Sequence, residues 1–285
     1  MDATTRPTRS VLYIPGSKER ALEKAKTLPV DAIIFDLEDA VAIDEKVGAR
    51  DTLKTALAEG DYGNRLKIVR INGLDTEWGE DDARAVADMN CDAVLLPKVD
   101  GPAQLDALAA LVGDKPLWAM METCAGMLNA NAIAAHPQLK GFIMGTNDLA
   151  KELNMRFRAD RLPLITSLQL CLLAAKANGV IVVDGVYNAF KDEDGLRAEC
   201  EDGRDMGFDG KTLVHPAQVA VTNAAFGPSD AEIDLARRQI AAFDEAEKVG
   251  QGVAVVDGRI VENLHVATAR ATLIKAAAIA ALETA

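Results

Sequence analysis

Six carboxylates lie at or just beyond the ends of short apolar segments of this sequence. They are Asp36, Glu38, Asp39, Glu122, Asp148 and Asp184. Carboxylates crowded together repel one another, and a hard cation such as Mg2+ relieves that repulsion while keeping positions open for a substrate's oxygens. Glu122 and Asp148 end neighbouring segments, so both side chains are expected to reach one octahedral ion. The alternative is that one or both simply pair with Arg70 or Lys98.

Arg70 ends the otherwise apolar segment KIVRIN. Such an arginine either caps a barrel through salt bridges or holds a carbonyl or carboxylate oxygen as negative charge develops on it. His215 ends another apolar segment. Two interpretations of it are equally open: its hydrogen bonds are satisfied within the protein, or it contacts the substrate. His136 and His265 have no Ser or Cys nucleophile motif beside them, so a triad hydrolase is not expected.

The segment YIPGSKERALEK places Gly16 and Ser17 at the start of a predicted helix. Backbone N–H groups and the positive end of a helix dipole favour an anion at such a position. Lys18 and Lys24 add positive charge nearby. The signal is generic, but it is compatible with a phosphorylated cofactor.

Eight apolar, β-branched segments have to position these residues. They are 9–15, 31–39, 67–73, 92–98, 116–123, 141–148, 180–187 and 210–216. Segments of helical periodicity separate them, and this alternation indicates a parallel sheet covered on both faces. Eight units within 285 residues favour an α/β fold of the (β/α)8 TIM-barrel type over a doubly wound sheet, which would need a glycine-rich dinucleotide loop.

The active site of such a barrel lies at the carboxyl ends of the strands, where the polar residues of this sequence converge. The barrel is assigned to residues 1–225. Residues 226–285 are expected to form a C-terminal lid extension with a long amphipathic helix, a hairpin turning at Asp257-Gly258 and an Ala-rich helix.

Composition limits the partners and the compartment. The net charge of −13 argues against nucleic acid and anionic membranes. No apolar run approaches the roughly 20 residues of a membrane span, and neither a secretory signal nor a short transit peptide is expected. The four cysteines lack metal-site spacing and are interpreted as buried free thiols, which favours a reducing, cytoplasmic location.

Several motifs taken together resemble the citrate lyase β-subunit-like family, within the wider group of malyl-CoA lyases and HpcH/HpaI aldolases. The matching segments are RSVLYIPGSKERALEKA, DAIIFDLEDAV, IVRINGLDTEWG, AVLLPKV, METCAGMLNA, GTNDLAKEL, DGKTLVHPAQ and GQGVAVVDGRIVE. They run in the family's order over essentially the whole chain. Within the family, the chain looks most similar to members that hydrolyse (3S)-malyl-CoA.

The resemblance implies a site for a coenzyme A thioester. Mg2+, with Mn2+ as a possible substitute, would be held by Glu122 and Asp148, and Arg70 would contact the reacting carbonyl. The remaining implied substrate or coenzyme A contacts are Tyr13, Lys18, Lys24, Val214 and His215, and Asn147 beside Asp148 is a further candidate. Family members assemble as homotrimers or homohexamers in which the C-terminal lid covers a neighbour's site.

One position departs from the family pattern. Carbon–carbon-cleaving members carry an Asp on the lid, whereas this chain has Glu262. A carboxylate displaced by one methylene serves carbon protonation poorly, because about 1 Å of misplacement can cost about 10²-fold in rate. The resemblance and this departure predict Mg-dependent hydrolysis of (3S)-malyl-CoA to malate and coenzyme A, with Glu262 or a carboxylate of the strand ends such as Asp39 positioning water.

Three alternatives stay open at this point. The first is reversible Claisen cleavage of malyl-, β-methylmalyl- or citramalyl-CoA. The second is a pyruvate-type aldolase without coenzyme A, which would carry a His early in the barrel, whereas the first His here is His136. The third is a non-catalytic β-like subunit of a citrate lyase complex.

Overall fold

Eight parallel strands close into a barrel in a computed structural model that describes residues 6–283. In chain order the barrel strands are β1 (Ser10–Pro15), β2 (Ala32–Asp36), β3 (Leu66–Arg70), β4 (Ala93–Leu96), β5 (Leu117–Met121), β6 (Leu139–Met144), β7 (Ile181–Asp184) and β8 (Gly210–Leu213). Each strand pairs with its sequence neighbour, and β8 closes the barrel on β1 with Ser10 opposite Lys211. The predicted (β/α)8 fold is confirmed.

Helices alternate with the strands. They are α1 (Glu19–Ala25), α2 (Lys46–Glu59), α3 (Gly79–Ala87), α4 (Pro102–Val112), α5 (Cys124–Leu128), α6 (Ala130–Ala134), α7 (Thr146–Glu152), α8 (Ile165–Asn178), α9 (Glu193–Met206) and α10 (Val219–Phe226). Two 3-10 turns, Ile43–Glu45 and Pro216–Gln218, precede α2 and α10.

Alternate residues of the strands fill the barrel interior, as the two-residue period of a strand requires. The central cluster includes Val11, Ile34, Leu95, Trp118 and Val183, all almost fully buried. Close packing also explains Gly141 on β6, because a Cβ there would lie 2.3 Å from the Trp118 ring. The apolar segments of the sequence therefore form the core.

Most strands are shorter at their carboxyl ends than the sequence segments that predicted them. The fifth segment was expected to run to 123 and the sixth to 148, whereas β5 ends at Met121 and β6 at Met144. Glu122 consequently follows its strand directly, and Asp148 lies in the first turn of α7. The polar side chains leave the sheet and enter the turns that face the barrel mouth.

The expectation that Asp184 is one of the carboxylates at the barrel mouth is wrong. Its side chain is buried in a cluster of ion pairs and does not line the barrel mouth. Lys211 Nζ lies 2.9 Å from Asp184 Oδ2, and Arg161 binds the same carboxylate through both terminal nitrogens, one at 3.0 Å. Asp184 and Lys211 are fully buried, and Lys211 also pairs with Glu199 at 2.6 Å. These charges hold the pKa of Asp184 below its usual value against the opposing effect of burial.

The cysteines are less uniformly buried than expected. Cys171 and Cys200 are buried, whereas Cys91 and Cys124 are partly exposed, and all four are free thiols.

Two compact units divide the chain: residues 8–223, and residues 224–285 together with 1–7. We call the second the C-terminal unit, of which the structure describes residues 224–283 together with Arg6 and Pro7. Residues 1–5, to which the expectation of no signal or transit peptide applies, and residues 284–285 lie outside the described part. Its elements are α11 (Asp230–Lys248), β9 (Ala254–Val256), β10 (Arg259–Val261) and α12 (Asn263–Glu283).

The predicted hairpin of the C-terminal unit is present. Asp257 and Gly258 connect β9 and β10, both with positive φ (50° and 75°), as a two-residue turn of this type requires. Arg238 of α11 binds the Asp257 carboxylate at 2.7 and 2.8 Å. The hairpin is thereby held against α11.

One helix among the described residues, α12, is long and apolar enough to cross a membrane by length and composition, with 17% of its apolar window buried. No such segment was expected from the sequence. The difference arises because α12 is rich in alanine, so its hydropathy is spread evenly along the helix. The helix also contains two charged residues, Arg270 and Lys275.

Candidate active site

A cavity of about 320 Å3 opens among the carboxyl ends of the barrel strands. We call it the barrel-mouth cavity. Its lining residues are Tyr13, Asp36, Asp39, Ala40, Arg70, Met120, Glu122, Met144, Gly145, Thr146, Asn147, Asp148, Val186 and Val214. The position is the one at which barrel enzymes bind their substrates. Seven of the predicted site residues therefore lie at one cavity: Tyr13, Asp39, Arg70, Glu122, Asn147, Asp148 and Val214.

Arg70 is held at the cavity by a buried ion pair. Its Nε and Nη2 donate to the two carboxylate oxygens of Asp36 at 2.7 and 2.6 Å. Its guanidinium lies 5.0 Å from the centre of the Tyr13 ring, a cation–π contact. Burial lowers the pKa of Arg70, but the negative charges of Asp36 and Glu38, together with the partly buried Tyr13, hold this pKa well above its usual value. Arg70 is therefore a fixed positive charge in a fixed orientation.

Glu38 joins Arg70 to the next strand end, a link that the sequence did not reveal. Arg70 Nη1 lies 2.7 Å from Glu38 Oε2, and Lys98 Nζ donates to Glu38 Oε1 at 2.8 Å. Burial raises the pKa of Glu38, whereas Arg70 and Lys98 lower it. The only sequence signal was the position of Glu38 two residues beyond Asp36 in FDLED.

Glu122 is buried, with 2% of its surface exposed. Its Oε1 accepts a hydrogen bond of 2.8 Å from the backbone N–H of Lys98, whose positive φ of 51° belongs to the turn that presents this group. Burial, and then repulsion from Glu38 and Asp148, raise the pKa of Glu122 to about 7. Glu122 thus lies among negative charges that its surroundings do not neutralise.

The glycine of the GTND turn is required by Glu122. A Cβ at Gly145 would lie 2.4 Å from both Glu122 Cβ and Glu122 Oε2. Real Cβ atoms do not approach so closely, so only glycine lets the turn before α7 pass beside this carboxylate. The turn then places Asp148 at the same cavity.

The donor set fits a hard divalent cation. Within residues 6–283, no group of three or more His, Cys, Asp or Glu side chains is arranged to enclose a metal ion. Mg2+ differs from structural metals in this respect, because it is commonly bound by one or two carboxylates and completes its shell with water and substrate oxygens. Glu122 and Asp148 supply two such carboxylates, and the mutual repulsion at Glu122 is what a cation would relieve.

Part of the lining of the cavity is apolar. Met120, Met144, Val186 and Val214 line it together with Ala40. Val214 was predicted as a ligand contact, whereas Met120, Met144 and Val186 lie within apolar segments and gave no sequence signal of a site. A small acyl group that packs on these residues would leave its polar end to the charged residues of the same cavity.

Asn147 and Asp39 complete the polar lining. Asn147 exchanges side-chain hydrogen bonds with Asn188 at 2.8 and 3.3 Å, which ties α7 to the segment after β7. Asp39 lies 3.6 Å from Arg70 Nη1 and is largely exposed. Asp39 is therefore the carboxylate beside Arg70 with the freest access to water.

Three predicted coenzyme A contacts do not line the barrel-mouth cavity. Lys18 binds both carboxylate oxygens of Glu45 at 2.7 and 2.9 Å, and Ser17 donates to the same carboxylate at 3.0 Å. Lys24 is exposed on α1. The His215 ring stacks on Phe190 with centroids 4.5 Å apart, and its Nδ1 accepts from the backbone N–H of Ala217.

Glu262 belongs to the C-terminal unit, where it is exposed immediately before α12. Its backbone N–H donates to His265 Nδ1 at 3.1 Å. Within the part of the chain that the structure describes, the Glu262 side chain makes no ion pair.

The family model for HpcH/HpaI aldolase/citrate lyase matches residues 9–216. A (3S)-malyl-CoA thioesterase of Cereibacter sphaeroides is 70% identical over 275 residues, which cover 96% of this chain and 96% of that protein. The citrate lyase subunit beta of Escherichia coli (strain K12) is 33% identical over 284 residues, which cover 95% and 94% of the two chains.

Solved structures agree with the fold and contain ligands. The protein CitE from Mycobacterium tuberculosis in complex with magnesium, acetoacetate and coenzyme A has a TM-score of 0.82 and 30% identity, covering 96% of this chain and 99% of that one. The citrate lyase beta subunit of the same organism complexed with oxaloacetate and magnesium has a TM-score of 0.71 and 31% identity, covering 80% and 100%.

Proposed function

This chain belongs to the HpcH/HpaI aldolase/citrate lyase family, and from that premise we propose its reaction, the hydrolysis of (3S)-malyl-CoA to malate and coenzyme A. The observation that carries this conclusion is the 70% identity, over 96% of both chains, to a (3S)-malyl-CoA thioesterase. The enzyme is an acyl-CoA thioester hydrolase. Water forms the new carbon–oxygen bond, the carbon–sulfur bond breaks, and the sulfur leaves as the protonated thiol of coenzyme A.

Glu122 and Asp148 are the residues we propose to hold Mg2+, with Mn2+ as a possible substitute. Two carboxylates that repel each other across one cavity support this assignment, as does the magnesium in the Mycobacterium tuberculosis structures. When bound, the cation supplies a Lewis acid for the carboxylate and hydroxyl oxygens of the malyl group.

Arg70 is the residue we propose to stabilise the thioester carbonyl oxygen. As the carbonyl carbon becomes tetrahedral, negative charge develops on this oxygen, and a fixed cation oriented in advance stabilises that charge without reorganising. Asp36 provides the orientation through its two hydrogen bonds to the guanidinium. Asp36 is accordingly a positioning residue.

Asp39 and Glu262 are the candidates for holding the attacking water. Both carboxylates are exposed, so both are available to accept a proton from water as it attacks. Asp39 lies on the cavity itself beside Arg70. Glu262 belongs to the C-terminal unit, which we propose to cover the site of a neighbouring subunit in a homotrimer or homohexamer.

Coenzyme A is proposed to bind along the segment that follows β1. Tyr13 lies at the cavity, and Lys18 and Lys24 follow it toward solvent. Val214 and His215 follow β8, the strand that pairs with β1, and Asn147 lies at the start of α7. The Mycobacterium tuberculosis structure with coenzyme A supports a coenzyme A ester as the ligand class.

Glu45 competes with this binding in the free enzyme, because its carboxylate already occupies Lys18 and Ser17. We expect Lys18→Ala to raise the KM for malyl-CoA several-fold with little change in kcat, since a remote phosphate contact binds ground and transition states alike. Glu45→Gln should lower this KM modestly, by at most about 5-fold, because a solvent-exposed ion pair contributes little.

Malyl-pantetheine, which lacks the nucleotide phosphates, is the matched control substrate for both variants. Its KM should be the same for the parent, Lys18→Ala and Glu45→Gln. An unchanged KM for malyl-CoA in Lys18→Ala would remove Lys18 from the coenzyme site.

Glu262→Ala is expected to lower kcat for malyl-CoA hydrolysis by about 10²-fold, the lower range of general acid–base catalysis. Glu262→Asp should gain some glyoxylate release, because it restores the shorter side chain of the carbon–carbon-cleaving members. Separate assays of malate, free coenzyme A, glyoxylate and acetyl-CoA measure both effects. Hydrolysis at the parent rate by the Ala variant would assign no chemical role to Glu262.

The same four-product assay tests the reaction itself. The parent enzyme should release malate and coenzyme A in equal amounts from malyl-CoA. Stoichiometric glyoxylate and acetyl-CoA would instead indicate the Claisen cleavage that lyases of this family perform.

We place the enzyme in the cytoplasm, without a nucleic-acid or membrane partner. Four free thiols suit a reducing compartment, and the net charge of −13 disfavours polyanions. We assign α12 to packing within the C-terminal unit, since it packs against α11.

A further inference from the structure

Gln218 is a fully buried glutamine at the end of the 3-10 turn that follows β8. Its side-chain Oε1 accepts hydrogen bonds from the backbone N–H groups of Val214 and His215, at 3.0 and 3.1 Å. Its Nε2 donates to the backbone carbonyl oxygen of Tyr187 at 2.9 Å. One side chain therefore joins the segment that follows β8 to the segment that follows β7.

The link lies beyond the point at which the two strands pair with each other. The pairing of β7 with β8 ends where Asp184 lies opposite Lys211. Gln218 binds Tyr187, three residues beyond Asp184, and Val214, three residues beyond Lys211. The amide of Gln218 therefore continues the connection between the two chain segments where their own ladder of hydrogen bonds has stopped.

Both joined segments line the barrel-mouth cavity. Val186, which precedes Tyr187, and Val214 belong to the apolar part of the lining on which a small acyl group can pack. The three hydrogen bonds of Gln218 hold the backbone at or beside each valine. Gln218 thus fixes the separation of two parts of the acyl-binding surface without itself lining the cavity.

A second cavity, of about 420 Å3, adjoins the first. Thr146 and Val186 line both cavities, so they form the boundary between them. The lining of the second cavity includes Met155, Phe157 and Leu164. A segment that borders a cavity on each side has fewer atoms to pack against, so its hydrogen bonds contribute more to holding it in place.

Two connections hold the segment after β7 at this boundary. The side chains of Asn147 and Asn188 bond to each other in an exposed position, where water competes for the same groups. The bond from Gln218 to Tyr187 starts from a fully buried side chain. Loss of a buried partner is the more costly of the two, so Gln218 is the stronger constraint on the boundary.

We propose that Gln218 is a positioning residue that limits the size of the acyl group that the enzyme accepts. With its hydrogen bonds in place, the boundary stays close to the acyl group and disfavours the additional methyl group of β-methylmalyl-CoA. Without them, the segment after β7 can move into the second cavity and make room. This inference rests on the proposed binding of the malyl group at the barrel mouth.

The ratio of kcat/KM for β-methylmalyl-CoA to kcat/KM for malyl-CoA tests the proposal, measured from the consumption of each thioester. Gln218→Met is similar in size and removes all three hydrogen bonds. We expect it to raise this ratio about 10-fold, the lower range for one methyl group in an apolar pocket. A ratio from one preparation does not depend on the folded fraction, so a destabilised variant still gives an answer.

Gln218→Asn is the second, milder variant. It keeps the amide but is one methylene shorter, so it cannot reach both segments, and it should raise the ratio as well. If the parent does not consume β-methylmalyl-CoA measurably, the corresponding expected result is consumption by the two Gln218 variants alone. An unchanged ratio in both variants would overturn the proposal and leave Gln218 with a role in folding only.

Thr222→Val is the matched control for a loss of stability. The Thr222 hydroxyl is also fully buried and donates to the backbone carbonyl oxygen of Gln218 at 2.9 Å. Its removal should lower the midpoint of thermal unfolding and leave the ratio unchanged, because the backbone of Gln218 is also held by its helix and its amide keeps its partners. A rise in the ratio equal to that of Gln218→Met would overturn the proposal.

The products in the same samples test the proposed reaction separately. Glyoxylate and acetyl-CoA from malyl-CoA, in place of malate and coenzyme A, would overturn the proposed hydrolysis. The ratio would still decide the role of Gln218, since it is measured from substrate consumption in either case.

Discussion

Glu122→Gln and Asp148→Asn are each expected to abolish hydrolysis of malyl-CoA, with kcat/KM falling by at least about 10³-fold. The estimate follows from the several kcal/mol that a bound cation contributes to charge stabilisation, at about 1.36 kcal/mol per tenfold in rate. The amide variants keep the size of each side chain, and the amide that replaces the Glu122 carboxylate retains an oxygen for the N–H of Lys98. The loss should therefore occur in a folded enzyme.

Stability measurements separate this effect from misfolding. In the metal-free parent, Glu122 is a buried carboxylate repelled by Glu38 and Asp148, so Glu122→Gln should leave the unfolding midpoint unchanged or raise it. Added Mg2+ should stabilise the parent but neither variant, by ligand linkage. Glu152→Ala removes a carboxylate from the same helix outside the cavity and should retain both activity and the Mg2+ effect.

If either variant still hydrolysed malyl-CoA at near the parent rate after exhaustive EDTA treatment, the metal assignment would be contradicted. A parent enzyme that keeps its rate after the same treatment would contradict it too.

Arg70→Lys is expected to lower kcat by about 10²-fold or more, the scale of losing a donor to a developing oxyanion. Lysine keeps the charge but lacks the planar fork that Asp36 orients through two hydrogen bonds. The variant should also be less stable, because the shorter ammonium group cannot make both of the buried hydrogen bonds that the guanidinium donates to Asp36. Steady-state kinetics and denaturant unfolding measure the two effects separately.

Arg161→Lys is the matched control for that experiment. Arg161 makes a comparable two-nitrogen pair with the buried Asp184 but does not line the barrel-mouth cavity. It should lose stability as Arg70→Lys does, while the rate per folded enzyme stays near that of the parent. Equal losses of rate in both variants would reduce Arg70 to a structural role.

The barrel was predictable because the sequence features that indicate its strands are local. Each segment is a short, nearly continuous apolar run rich in β-branched residues and bounded by its own turn residues, so eight strands can be recognised without knowing what they contact. The site location then followed from the direction of parallel strands. Glu122 and Asp148 could be placed at the barrel mouth because a polar residue that follows an apolar segment needs no partner to be identified.

Side-chain partners were not predictable, because they depend on residues far apart in sequence. Arg161 is 23 residues from Asp184, and nothing at either position predicts their contact. The same applies to Glu45, which binds Lys18 across 27 residues. The sequence could suggest a cation for an anionic ligand, but not that a carboxylate of the chain already occupies it.

Arg70 shows how two alternatives that the sequence left open need not exclude each other. It forms the buried ion pair with Asp36 that the structural interpretation expected, and it also lines the cavity that the functional interpretation required. The ion pair is what fixes the orientation of the guanidinium toward the cavity.

The buried cluster of Asp184, Arg161 and Lys211 limits how this chain can be recombined with its relatives. A segment exchange that cuts between 161 and 211 separates charges that neutralise one another, and leaves at least one of them alone in the interior. Substitutions at these positions should therefore be strongly epistatic, each harmful singly and tolerated only in compatible sets. Chimeric barrels should take residues 161–211 from a single parent.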